Sequence, residues 1–185
     1  MRMIATRNGN GAAATMAERS SPPAMNALVG RKLDPLIRNF ARFISSEVAL
    51  FYRPGGKGQP PAVISSWGGA THEKAVRPRE GGFVGRALHL GAQRAALVPL
   101  HPLLDSSLVH STDPPLSHAA AAPVRLPMGV AGSLIAGFIT PPQDCGMTLW
   151  TAESYAALIA LFLQHPGALD GLLGTERRDD RLPDQ

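Results

Sequence analysis

The sequence predicts an α+β domain: an antiparallel sheet with amphipathic helices packed on one face. Three observations carry this. Two segments repeat apolar residues at three- and four-residue steps, the pattern of a helix with one buried side. Four others read as extended, the first of them alternating and rich in strand formers. The strand-like segments come in consecutive pairs rather than alternating singly with helices, which is the order of an antiparallel sheet. A chain of 185 residues, 44% apolar and 17% charged, can bury one such core. Its 19 glycines and 17 prolines set many turns between short elements.

Residues 1–25 are small, polar and aperiodic and end in SSPPA. They read as a disordered leader. The domain is expected over 26–166, and the charged residues from 167 to 185 read as a polar, flexible tail. Leu33, Leu36, Ile37, Phe40, Phe43 and Ile44 form one helical face. Asp34-Pro35 reads as its cap and first residue, with 27–32 as an earlier turn kinked at the proline. EVALFYR (47–53) and PAVISSW (61–67) alternate and read as a hairpin with a long connection.

EGGFVGRALHLG (80–91) packs Gly81, Gly82 and Gly85 into five residues and reads as a glycine turn followed by a short helix, 83–90. The stretch 93–116 holds four prolines and reads as a long irregular loop, a common place for function. HAAAAPVRL (118–126) reads as a strand because Pro123 would break a helix, and SLIAGFITP (133–141) as its partner across PMGVAG. In the last helix Tyr155, Leu158, Ile159, Phe162 and Leu163 form the stripe. Thr151 is placed as its N-cap, Trp150 as the staple before it and His165-Pro166-Gly167 as its stop.

Net charge is +4. Five basic residues between Lys74 and Arg94 face Glu80 alone, while the tail from Asp170 is acidic. The basic strip has no aromatic interleaving and no helix-turn-helix beside it, which argues against nucleic acid. The N-terminus lacks the apolar run of a signal peptide, and LIAGFI is too short to span a bilayer, so no membrane role is expected. A single cysteine, Cys145, excludes an internal disulfide and a cysteine-rich metal site and favours a reducing, cytoplasmic setting. The six histidines show no HxxxH or HExxH spacing, so no metal site is expected. Ser111, Asp113 and His118 are neighbours in sequence only, and no catalytic residue is assigned.

This order, with the residues at its joints, resembles a GAF domain over about 27–165: the amphipathic first helix, EVALFYR, PAVISSW, GGFVGRAL, APVRL, SLIAGFIT and WTAES leading into YAALIALFL. The resemblance implies a central antiparallel sheet, helices on one face and a small-molecule pocket on the other, roofed by loops and short helices. It implies sensing or regulation, alone or through a partner, more often than catalysis. Haem would need an axial histidine, His110 or His118, and the sequence shows no support for one. Bilin attachment uses a cysteine elsewhere in this fold than Cys145. Free methionine sulfoxide reductases of the family use a second, resolving thiol, which is absent, so a redox enzyme or thiol sensor is the weakest alternative. The cyclic-nucleotide constellation Asn-Lys-Phe-Asp-Glu is also missing.

The expected ligand site combines Val63, Ser65 and Trp67, which alternation puts on one strand face, with Gly82, Phe83, Arg86 and His118. The amides of Gly82 and Phe83 at a helix start, with Arg86 a turn on, would suit an anionic small molecule. A plain packing demand for glycine explains the same residues. A homodimer through the terminal helices, with a self-filled pocket, is the alternative role.

Overall fold

The computed structural model describes residues 22–55, 62–69, 82–83 and 94–165, with the backbone alone over 22–28. The elements run α1 (Pro22–Phe43), β1 (Val48–Arg53), β2 (Ala62–Trp67), β3 (Ala96–Pro99), α2 (Ser106–Val109), β4 (His118–Leu126), β5 (Gly129–Phe138) and α3 (Cys145–Gln164). The strands form one antiparallel sheet in the order β2-β1-β5-β4-β3. The expected leader up to residue 21, the connection 56–61, the helix over 84–90 and the tail from 166 lie outside the described residues.

The pleat sorts the strand residues into two apolar layers. Ala49 and Phe51, with Ala120, Ala122, Val124, Leu134, Ala136 and Phe138, face α1 and α3. Val48, Leu50 and Tyr52, with Ala119, Ala121 and Ile135, face the segment 100–117 and Phe83. Both helices therefore lie on one face and loops on the other, as expected.

Three expectations change. Pro35 is inside α1, not at its start. Pro35 and Arg31, whose carbonyl the missing N–H would have bonded, are both exposed, so water can serve that carbonyl. Asp34 is released from capping and instead accepts a 2.6 Å hydrogen bond from Ser65 Oγ, tying α1 to the edge strand β2. Second, the stretch 93–116 is not one loop: it contains β3 and α2. Four residues ending in a proline are too few to show a period. Third, α3 begins at Cys145, capped by Asp144, whose Oδ1 accepts the Met147 N–H at 2.8 Å. Thr151 is buried mid-helix, and Trp150 is 64% exposed rather than stapled inward. In α1, Phe43 is likewise 66% exposed, outside the face it was assigned to.

The end of α1 is closed by Ser45 at φ 54°, with Ser46 N–H donating to Ala41 O at 2.9 Å and Ser45 N–H to Arg42 O at 3.3 Å, the Schellman pattern. That reversal turns the chain straight into β1.

Gly30 lets α1 lie against β2, since a Cβ there would meet the carbonyl oxygen of Ile64. Alanine for glycine inside a free helix stabilises by up to about 1 kcal/mol. Here Gly30→Ala is expected to destabilise by about 1–3 kcal/mol, because the backbone of β2 must shift. Urea unfolding measures it, and a stabilised variant would show that α1 is not seated on β2.

Candidate functional site

The candidate site is the sheet face turned away from the helices. Its floor is built from Val48, Leu50 and Tyr52 of β1, Val63 of β2, Ala119 and Ala121 of β4 and Ile135 of β5. Phe83, Leu100, Leu108, Val109 and Leu116 cover it. Leu116 reaches the sheet at Gly137, where a Cβ would collide with its Cδ1, so the roof touches the floor at that point.

One buried acid organises the roof. Asp105 is 4% exposed, and its Oδ1 accepts the Phe83 N–H at 2.6 Å and its Oδ2 the His101 N–H at 2.9 Å. Its backbone carbonyl accepts from Leu108 and Val109 at 2.8 and 2.9 Å, which starts α2. His101 closes the turn below it, with Nδ1 accepting from Leu103 and Leu104 N–H at 3.2 and 3.3 Å. Burying a carboxyl group is costly unless donors satisfy its oxygens, and two amides do so here.

The sequence-derived residues divide. Val63 is on the floor. Ser65 and Trp67 are on the helix side, Ser65 bonded to Asp34 and Trp67 packed against the helix-side core. The cause is a bulge: Phe51 pairs with Ser65 and Tyr52 with Val63, so Ile64 is an extra residue and the alternation flips across it. Gly82 and Phe83 are buried at the roof, but the Phe83 amide is given to Asp105. The anion expected at the glycine turn is supplied by the chain itself. Arg86 lies outside the described residues. His118 pairs with Phe138, which faces the helices, so the ring is on the helix side, with Nδ1 2.8 Å from Ser117 Oγ. His110 is exposed at the end of α2. Neither is placed over the floor as an axial ligand would be.

Two residues that periodicity did not single out belong to this face. Tyr52 and Ser133 are directly paired across β1 and β5 and are each 1% exposed. Tyr52 Oη and Ser133 Oγ find no hydrogen-bond partner among the described residues. An unsatisfied buried hydroxyl costs about 1–3 kcal/mol. Burial raises the Tyr52 pKa above its ordinary value of 10.0, so the phenol stays neutral. The readable signal is a tyrosine and a serine within mostly apolar strands.

Two grooves lie elsewhere, flanking α3. One of about 700 Å³ runs between β4 and the second half of α3, lined by Arg94, Arg125, Glu153 and Gln164 among others. The other, about 380 Å³, lies between the end of α1 and the start of α3.

No family model and no curated protein matches the sequence. Solved structures do match in fold. The GAF domain of PixJ from Thermosynechococcus elongatus, in its blue-light absorbing form, superposes with a TM-score of 0.56 at 12% identity, over 85% of this chain and 95% of that one. The second GAF domain of DevS from Mycobacterium smegmatis gives 0.52 at 15% identity, over 78% and 99%. A type II free methionine-R-sulfoxide reductase from Thermoplasma acidophilum gives 0.55 at 11% identity, over 76% and 95%. The chain has a GAF-like fold, and that fold carries both a light-absorbing domain and an enzyme, so fold alone does not assign chemistry.

Asp105→Ala is expected to destabilise by about 3 kcal/mol, since two amides lose a charged acceptor, and Asp105→Asn by roughly half of that. The Phe83 amide should lose its protection in hydrogen exchange in step. A change below about 0.5 kcal/mol in Asp105→Ala would remove the acid from its organising role.

Proposed function

We propose that the chain is a sensory GAF-type module that binds a small molecule between the sheet floor and the roof, and acts alone or through a partner protein without catalysing a reaction. The observation that carries this is the roof itself. It is a layer of loops latched by one buried carboxylate over a floor of small and apolar side chains. Such a layer can loosen or tighten without unpairing the sheet, which is what a binding event must alter to be sensed. A thiol acting on a molecule held at the floor would have to reach that side of the sheet. Cys145 is exposed at the start of α3, on the other side of the sheet, with Sγ donating to Pro142 O at 3.5 Å. The lone cysteine is in keeping with a reducing, cytoplasmic setting.

The test is a thermal-shift panel of inorganic phosphate, nucleotides, small carboxylates and uncharged aromatic amides. At least one member should stabilise the protein, by about 2.7 kcal/mol at a hundredfold excess over its Kd. A panel without any stabilising compound sinks the reading.

A second role, pairing with another copy through the terminal helices, is favoured by a specific surface. Met147, Trp150, Ser154, Ala157, Leu161 and Gln164 follow a strict heptad along α3, and Met147, Trp150 and Leu161 are exposed, with Leu158 beside them. By length and composition α3 could cross a membrane, yet its other side packs on the sheet through Ala152, Ala156, Ile159 and Phe162. A seam of this kind is normally covered, and a symmetric partner offers the same seam. Light scattering is expected to show a dimer, and Trp150→Glu with Leu161→Glu a folded monomer. A wild-type monomer at every concentration removes this role.

A further inference from the structure

We propose that the paired hydroxyls of Tyr52 and Ser133 are the polar anchor of the loop face, and that they select an uncharged ligand carrying a carbonyl or amide on an otherwise apolar body. This rests on the ligand-binding reading above and names the chemistry of that ligand.

Position is the first argument. The two residues are direct cross-strand partners on the loop side of the sheet, beside Val63. Both are almost fully buried, and neither hydroxyl is answered among the described residues. Buried polar groups are nearly always satisfied, and an exception calls for a partner. Each hydroxyl can donate one hydrogen bond and accept others, and a carbonyl or amide group offers what such a pair lacks. One orphan could be a packing accident. Ser46 Oγ and Thr151 Oγ1 are also unanswered, but they lie outside the strands. Tyr52 and Ser133 are cross-strand partners on one face, a polar pair in an apolar bed, as small-molecule sites have.

Charge is the second argument. The floor residues named above are all uncharged. The Phe83 amide at the glycine turn, the best candidate for holding an anion, is committed to Asp105. That carboxylate is itself a buried negative charge beside the floor, and it would repel a ligand anion. A cation gains little from it, because both of its oxygens are already bonded. Burial holds the Tyr52 phenol in its neutral form. Among the described residues, the chemistry left to this face is neutral hydrogen bonding.

The test uses matched probes that differ in charge and little in shape: benzamide against benzoate, and nicotinamide against nicotinate, titrated into the full chain at pH 7 by calorimetry and thermal shift. The amides should bind and the acids should not. Tyr52→Phe and Ser133→Ala should each weaken amide binding about fivefold to tenfold, with the unliganded transition temperature unchanged or raised. If the acids bind and the amides do not, the inference falls while the ligand-binding reading stands. Equal binding of the amides to wild type and both variants, or variants that are destabilised without any probe present, also overturns it, because the hydroxyls would then serve the fold. If neither these probes nor any compound of the wider panel binds, both readings fall together.

Discussion

A sheet covered on both sides leaves its central strands no wet face, and the rest of the structure depends on that constraint. β1, β5 and β4 alternate between a helix-side layer and a loop-side layer, and both are dry. Polar side chains in these strands must then be bonded, displaced to the edge or left orphaned. Ser65, on the edge strand, is bonded to Asp34. Glu47, just before β1, is only half-buried and accepts the Ile139 N–H at 3.2 Å. Tyr52 and Ser133 remain, facing each other in the centre with no such exit. Ser46 Oγ, just before β1, and Thr151 Oγ1, in α3, are also unanswered, but Tyr52 and Ser133 share this condition as a cross-strand pair within the sheet.

The same dryness explains the roof. Loops carry backbone N–H and C=O groups that cannot be laid on an apolar floor without partners. Asp105 answers two of those amides with its side chain and two more with its carbonyl. Leu100 N–H donates to Ser117 O, Leu116 N–H to Val109 O and Ser117 N–H to Phe138 O, all between 2.8 and 2.9 Å, so the segment is tied at both ends to the sheet. The apolar side chains of this segment can then turn inward. The acid at its centre makes the roof a self-contained layer, held by bonds that do not belong to the sheet ladder.

Much of this was legible from periodicity. The helix face from Leu33 to Phe40, the pairing of 47–53 with 61–67 and of 118–126 with 133–138, and the segregation of helices to one side all follow from spacing alone. What escaped were departures from the period. Ile64 is a single inserted residue, and nothing in AVISSW marks it, yet it sends Ser65 and Trp67 to the opposite face from Val63. Register is a property of the pair, set by what β1 and α1 need, so one strand's sequence cannot reveal it. The start of α3 was misplaced because Thr151 and Asp144 are both good caps by type. Only the bond from Met147 decides between them. β3 was missed because ALVP is too short to display a period and owes its shape to pairing with β4. The site suffered most, since Tyr52, Ser133 and Asp105 matter through the absence or presence of partners distant in sequence.

The glycine turn shows how this changes a functional argument. Short glycine patterns at a helix start suggest an external anion because they expose amides. That inference assumes the amides are free. Here a side chain 22 residues away in sequence occupies the place of the anion at 2.6 Å. An internal carboxylate has no translational freedom to lose, so it outcompetes a dissolved anion of similar basicity at any ordinary concentration. An external anion could take that amide only by displacing Asp105, which would strand a buried charge and release the His101 N–H as well. The glycine motif read alone leaves the Phe83 amide open to an anion, whereas the fold has already given that amide to Asp105.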